Sequence, residues 1–186
     1  MFSGSGRLGA YQSIGFGATT DAVFLPGLSS GPFSGTGGAG DLKLTTAYGI
    51  RGEFNHNWDP YWSSSLWGSA SAVRYGGSAV AFGGAFDPTT AKGQLCQAYV
   101  GSTGGYATKS ADFSCNPDFN VYQIGLVTRW TPVKNLTFSA EVAYFLLDQK
   151  FSGTSTLGPS APKPATVYEF KDQSTVSFNV RAQRNF

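Results

Sequence analysis

The sequence predicts an all-β chain whose long antiparallel strands form part of a transmembrane barrel. Three observations predict it. Apolar and polar residues alternate with period two over unusually long stretches, long and short connections alternate between those stretches, and charge is sparse. Charged side chains are 13% of the 186 residues, against about 25% in a soluble domain. Aromatics reach 15%, too many for a disordered chain. A helical membrane protein is excluded as well. A spanning helix needs about 20 consecutive apolar residues, and the longest apolar runs, such as Val142 to Leu147, fall far short. The net charge of +2 comes from positive residues scattered singly, without the basic cluster that nucleic acid requires.

The alternation is cleanest in Asp41 to Trp58. Leu42, Leu44, Tyr48, Ile50 and Phe54 fall on one face, and Lys43, Arg51, Glu53 and Asn55 on the other. Such a period gives a strand with one apolar and one wet face. Asn120 to Thr131 repeats it, with Tyr122, Ile124, Leu126 and Trp130 against Gln123, Gly125, Arg129 and Thr131. Leu136 to Phe151 sets Leu136, Phe138, Val142 and Tyr144 against Thr137, Ser139 and Glu141, then drifts apolar at Phe145 and Leu147. In Ser174 to Phe186, Val176, Phe178, Val180 and Phe186 oppose Ser177, Asn179, Arg181 and Gln183. Tyr11 to Phe24 and Tyr61 to Tyr75 alternate less cleanly and read as two more strands. The expected strands are thus approximately 11–24, 41–58, 61–75, 119–131, 136–151 and 172–186. Most run about ten to fifteen residues, whereas globular strands are usually about 5–6 and a tilted strand crossing a bilayer needs about 9–11.

The connections carry the orientation. Asn57-Trp58-Asp59-Pro60 and Thr131-Pro132-Val133-Lys134-Asn135 are short and rich in turn residues. The connections 25–40, 76–118 and 152–167 are long, and the first and last are Gly/Ser/Pro-rich. Strict long-short alternation is the plan of outer-membrane barrels, with short periplasmic turns and long outer loops. Trp58, Tyr61, Trp62, Trp130 and Phe186 all fall at short-turn ends of strands, where an interfacial aromatic girdle and the assembly signal of the last strand belong. Met1 to Ala10 has neither a basic n-region nor an apolar h-region. The expectation is therefore a mature segment, a fragment or a truncated reading frame.

Four segments carry a closer resemblance. They are Phe54-Asn55-His56-Asn57-Trp58-Asp59-Pro60-Tyr61-Trp62, Cys115-Asn116-Pro117-Asp118-Phe119, Trp130-Thr131-Pro132-Val133-Lys134-Asn135-Leu136 and Asn179-Val180-Arg181-Ala182-Gln183-Arg184-Asn185-Phe186. Together they resemble the outer-membrane porins of alphaproteobacteria such as rhizobia and bradyrhizobia, over about Tyr11 to Phe186. One departure is Arg184, where the terminal assembly signal usually has an aromatic. The resemblance implies a barrel of about sixteen strands, usually a homotrimer in outer-membrane lipid, delivered by the barrel-assembly machinery through its C-terminal strand. It also implies passive diffusion of small hydrophilic solutes and ions, without a cofactor. This chain supplies about six strands, the C-terminal third or so.

The candidate sites follow from the two faces. Lys43, Arg51, Glu53, Arg129, Glu141 and Arg181 should line the lumen, since unpaired charge in a dry core would cost several kcal/mol. Solvated in a pore, they shape the field felt by ions; four positive charges against two negative favour anions slightly. They could also serve merely to solvate the wall. Cys96 and Cys115 share the longest loop, and an exported protein should join them in a disulfide. A metal site needs more ligands than that loop offers.

Catalysis finds no support. His56 is the only histidine, falls on the apolar face, and has no G-x-S-x-G elbow to serve. Gly35-Thr36-Gly37-Gly38-Ala39-Gly40 matches a dinucleotide-binding pattern, yet a β-alternating segment follows where a helix should open. Asn135-Leu136-Thr137 is a glycosylation sequon on a turn expected to be periplasmic. The alternative to a pore is a small, non-conducting barrel that presents its loops as an adhesin does. It requires further strands within 76–118, where 79–86 is the one weak candidate.

Overall fold

The computed structural model describes residues 21–25, 41–79, 87, 89–101, 109–157, 164 and 166–186. Most of the strand expected over 11–24, the glycine-rich segment 35–40 and most of the weak candidate 79–86 lie outside the described residues. In chain order the elements are β1 (Ala22–Leu25), β2 (Asp41–Leu44), β3 (Thr46–Asn57), β4 (Trp62–Arg74), α1 (Ala91–Gly101), β5 (Phe119–Val133), β6 (Leu136–Gln149), β7 (Thr154–Leu157), β8 (Thr166–Glu169) and β9 (Gln173–Arg184). A five-stranded sheet has the order β3-β4-β5-β6-β9, while β1-β2 and β7-β8 form separate pairs. The chain divides into two compact units. One holds the middle of the large sheet, Gly49–Ala72, Asn120–Asp148 and Asp172–Phe186; the other holds the hairpins, the helix and the strand ends.

The sheet is built from tight connections. At the β3-β4 turn, the Asp59 carboxylate accepts the backbone N–H groups of Tyr61 and Trp62 at 2.7 and 2.8 Å. Trp58 N–H closes the turn on Trp62 O at 2.9 Å. An aspartate that bonds to the backbone two and three residues on supplies the bend itself. Between β5 and β6, Asn135 takes a φ of 67°, a left-handed conformation that asparagine tolerates better than most residues. Such short turns make their strands antiparallel neighbours. The β6-β9 pair is antiparallel from Leu136↔Arg184 to Leu147↔Gln173. The β4-β5 pair is antiparallel too. Tyr61 O takes the Thr131 N–H, the Ser64 and Thr128 hydroxyls meet at 3.2 Å, and a Cβ at Gly68 would approach Gln123 O.

The run expected as one strand over 41–58 is two strands. Alternation continues through Thr45, but the partner changes there: β2 pairs with β1, from Ala22↔Leu44 to Leu25↔Asp41, whereas β3 joins the large sheet. The long connection 76–118 also holds an element the alternation does not disclose. Helix α1 starts where the Thr90 hydroxyl accepts the Gly93 N–H at 3.0 Å and Thr90 O accepts the Gln94 N–H, an N-cap that satisfies donors the helix cannot. Just before it, the Asp87 carboxylate accepts the Thr89 hydroxyl and N–H. These bonds, the hydroxyl first, hold Asp87 below the usual carboxylate range. The connection 152–167 likewise holds β7, paired with β8 from Thr154↔Glu169 to Leu157↔Thr166.

The loop-bearing unit has its own small core. Val23, Leu25, Val73, Tyr75 and Ala91 are buried together, with Leu95 and Phe119 against them. Two links fasten α1. Lys92 Nζ meets Asp118 Oδ2 at 2.6 Å, both largely buried, and Asp118 Oδ1 also accepts the Tyr75 N–H at 2.9 Å. Cys96 and Cys115 form a disulfide across a sequence separation of 19. Closing a loop of that length stabilises by about 3 kcal/mol in the chain-entropy picture. Replacing both cysteines with serine is therefore expected to speed amide exchange in Ala91–Gly101 by two orders of magnitude or so, about 3 kcal/mol of local opening, while exchange in β5 and β6 stays unchanged. Hydrogen exchange read by mass spectrometry checks this.

Candidate functional site

Register sorts the large sheet into two chemically distinct faces. In the β6-β9 ladder, odd positions pair with odd and even with even. Side-chain bonds extend this across the other strands. Ser65 Oγ donates to Asn55 Oδ1 at 2.8 Å, Arg129 Nη1 donates to Ser65 Oγ at 2.6 Å, and the Thr131 and Thr137 hydroxyls meet at 3.1 Å. Odd-numbered residues of all five strands therefore share one face, and even-numbered residues the other.

The even face is largely apolar, and its large side chains are exposed. Ile124 and Leu126 on β5 are half exposed, as is Val142 on β6, and on β9 Val180 is 70% exposed. The intervening residues of the interior strands are buried: Val121 and Val127 on β5, Ala143 and Phe145 on β6. Ser65, a polar side chain, is fully buried at 0%. Apolar side chains are thus buried on the odd face, yet a whole row of large apolar side chains on the even face stays exposed, which the order expected in water does not favour. Near the short turns the even face becomes aromatic. Trp62 stacks on Trp130 with centroids 5.7 Å apart, Trp130 on Phe138 at 5.6 Å, and His56 meets Trp58 edge-on at 4.4 Å. Trp58 Nε1 donates to Ser64 Oγ at 3.0 Å, so an apolar ring keeps a polar tip satisfied, as interfacial belts require. Trp58, Tyr61 and Phe186 are exposed at this end, and the Arg184 guanidinium sits 5.4 Å from the Phe186 ring centre.

The odd face carries the charge. Arg51 and Glu53 lie on the edge strand β3 and are exposed, and Arg181 lies on the other edge strand, β9, opposite Ser139. Glu141 faces Asn179 across the β6-β9 ladder, and its Oε1 accepts the Trp67 indole N–H at 2.9 Å. Arg129 belongs to the chain of bonds through Ser65 to Asn55, which ties β5 to β4 and β3. Lys43 is placed elsewhere: it lies on β2, in the loop-bearing unit, ion-paired to Asp41 at 2.6 Å. That ion pair and the Leu42 N–H keep Asp41 below the usual carboxylate range, the Lys43 hydrogen bond contributing most. His56 lies on the even face beside Trp58. Among the described residues no group of three or more His, Cys, Asp or Glu could hold a metal ion.

Sequence reasoning overlooked Trp67. Parity could have found it, because Trp58, Trp62 and Trp130 are even-numbered and Trp67 alone is odd. Its indole rests on Gly125, where an added Cβ would fall 2.5 Å from Cε2 and Cζ2. A glycine on β5 thus makes room for a ring that crosses from β4 to a carboxylate on β6.

The two faces give opposite responses to the same substitution. Val142→Arg places charge on the apolar face near the middle of β6 and is expected to cost about 2–4 kcal/mol in a bilayer. Asn179→Arg, on the odd face opposite Glu141, is expected to stay within about 0.5 kcal/mol. Urea unfolding from lipid vesicles measures both; in a water-soluble sheet an exposed Val142→Arg would be as mild as the other.

A family model described as a porin subfamily matches residues 14–179. No curated protein and no solved structure matches the chain. The family match spans nearly the whole chain and agrees with antiparallel strands that leave a row of large apolar side chains exposed. The chain belongs to the porin subfamily, a family of outer-membrane channels that are in general not enzymes.

Proposed function

We propose that this chain forms part of the wall of a water-filled channel through which small hydrophilic solutes and ions diffuse passively across the outer membrane. The observation that carries the reading is the two-faced sheet: large apolar side chains exposed on the even face, and the charged side chains, with hydroxyls and a few small buried apolar groups, on the odd face. Lipid accepts the first face, and a wet lumen keeps the charges of the second solvated. Nothing is transformed; size and field limit passage.

The complete barrel has about sixteen strands, three copies assemble as a trimer, and the porin is of the alphaproteobacterial type. One feature supports a larger barrel. Among the described residues β3 and β9 each have one neighbour in the large sheet, and lipid cannot satisfy the backbone groups of an open edge. Delivery by the barrel-assembly machinery belongs to the same reading. Arg51, Glu53, Arg129, Glu141 and Arg181 line the lumen, Lys43 lies among the loops, and the short turns face the periplasm.

Planar-bilayer recording of the refolded 186-residue chain tests the reading. Discrete, long-lived conductance steps are expected where copies of the chain complete the wall. Protein that inserts yet passes no ions, beside a full-length porin of the family that conducts, leaves the channel to the complete barrel, and silence from both contradicts the reading.

A further inference from the structure

The odd face of the sheet holds an arrangement that plain wetting of a wall does not require. A large aromatic ring is normally stabilised by burial against other apolar groups. Trp67 instead lies on the face that carries the charges, half-buried, with its indole over Gly125. Its N–H is spent on Glu141 Oε1 at 2.9 Å. The ring is therefore fixed at both ends: by its own strand β4, and by a carboxylate two strands away. The ring lies over β5 and remains partly exposed.

Register surrounds this ring with polar groups. Asn55 bonds to Ser65 across the β3-β4 hairpin, which places Glu53 directly opposite Trp67 and Arg51 one step further along the same face. Thr131 bonds to Thr137 across the β5-β6 hairpin, which places Arg129 diagonal to Glu141. Two carboxylates and two guanidiniums thus share the neighbourhood of the indole, and their charges cancel. Glu141 makes no bond other than that from Trp67 among the described residues, so Oε2 is available as an acceptor. Gln123, half-buried, stands beside Gly125 on the same face.

We propose that Trp67, Glu141, Glu53 and Arg129 form a solute-contact subsite for neutral saccharides on the channel wall. A pyranose offers a flat face of C–H groups to stack on the indole. Its ring hydroxyls donate to Glu141 Oε2 and Glu53 and accept from the Arg129 guanidinium. Balanced charge favours a neutral polyhydroxylated solute. An organic ammonium would gain from the indole but meet two guanidiniums. Gly125 is the residue that permits the platform, since any Cβ there would displace the ring. The subsite deepens the channel reading and rests on it for its access to solute.

The test uses the full chain refolded in detergent micelles, labelled with 5-fluorotryptophan and observed by fluorine NMR. Trp67→Phe assigns the Trp67 resonance. Titration with maltose is expected to shift that resonance saturably in the millimolar range and leave those of Trp58, Trp62 and Trp130 in place. Glu141→Gln, which preserves shape and removes the charge, is expected to raise the half-saturation concentration about tenfold. A Trp67 resonance that stays fixed throughout, or one moved by tetramethylammonium and not by maltose, overturns the subsite. Because the readout is binding, it separates from the conductance reading. A conducting chain with an unresponsive Trp67 sinks the subsite alone, and a maltose-responsive Trp67 in a chain that passes no ions keeps the subsite and leaves conduction to the complete barrel.

Discussion

Odd-numbered residues meet odd-numbered residues across the strand boundaries of the five-stranded sheet, through the β6-β9 ladder and the bonds Ser65–Asn55, Arg129–Ser65 and Thr131–Thr137. A slip of one residue at the β5-β6 boundary would set Glu141 and Arg181 in line with Ile124 and Leu126, and Val142 and Val180 in line with Arg129. The register is held at the short turns and again within the sheet. Tight turns at Asp59 and Asn135 set the count. Transverse side-chain bonds then lock it at a distance from the turns. The Trp67–Glu141 bond reaches across β5 only because residue 125 has no side chain. The interfacial aromatics depend on the same count, since Trp62, Trp130 and Phe138 stack only when their strands are in phase.

The loop-bearing unit follows a different logic. Its strands are four residues long, too short to be stable by pairing alone. It is held by a small core around Leu25 and Val73, by the Lys92–Asp118 pair and by the Cys96–Cys115 disulfide. Asp118 is its junction, since one carboxylate accepts from Lys92 Nζ and from the Tyr75 backbone. Loss of Lys92 would leave that carboxylate largely buried without its countercharge, a change costly in most proteins. Covalent and ionic links suit long connections that lack a large apolar surface of their own.

What was legible in the sequence was whatever has period two. β5, β6 and β9 declare themselves because each faces two environments at once, and apolar residues recur wherever one of them is lipid-like. The short turns were legible because Asp59-Pro60 and Asn135 act locally. The break at Thr45 was not, because the alternation runs through it unbroken and only the partner strand changes. Helix α1 was obscured by Gly93 within it and by its dependence on Asp118 and Cys115, residues far along the chain. The partners of Trp67 were hidden for the same reason: Glu141 is 74 residues away. Alternation reports which face a residue occupies and says nothing about what it reaches on that face.

The central claim is that even-numbered residues of the sheet face lipid and odd-numbered residues face water. Nitroxide labels placed singly at Ser139, Ala140, Glu141 and Val142, in protein inserted into lipid vesicles, measure this directly. Collision with oxygen, which partitions into lipid, should be high at Ala140 and Val142. Collision with a water-soluble nickel chelate should be high at Ser139 and Glu141. Four labels that respond alike, or the opposite alternation, would contradict the account.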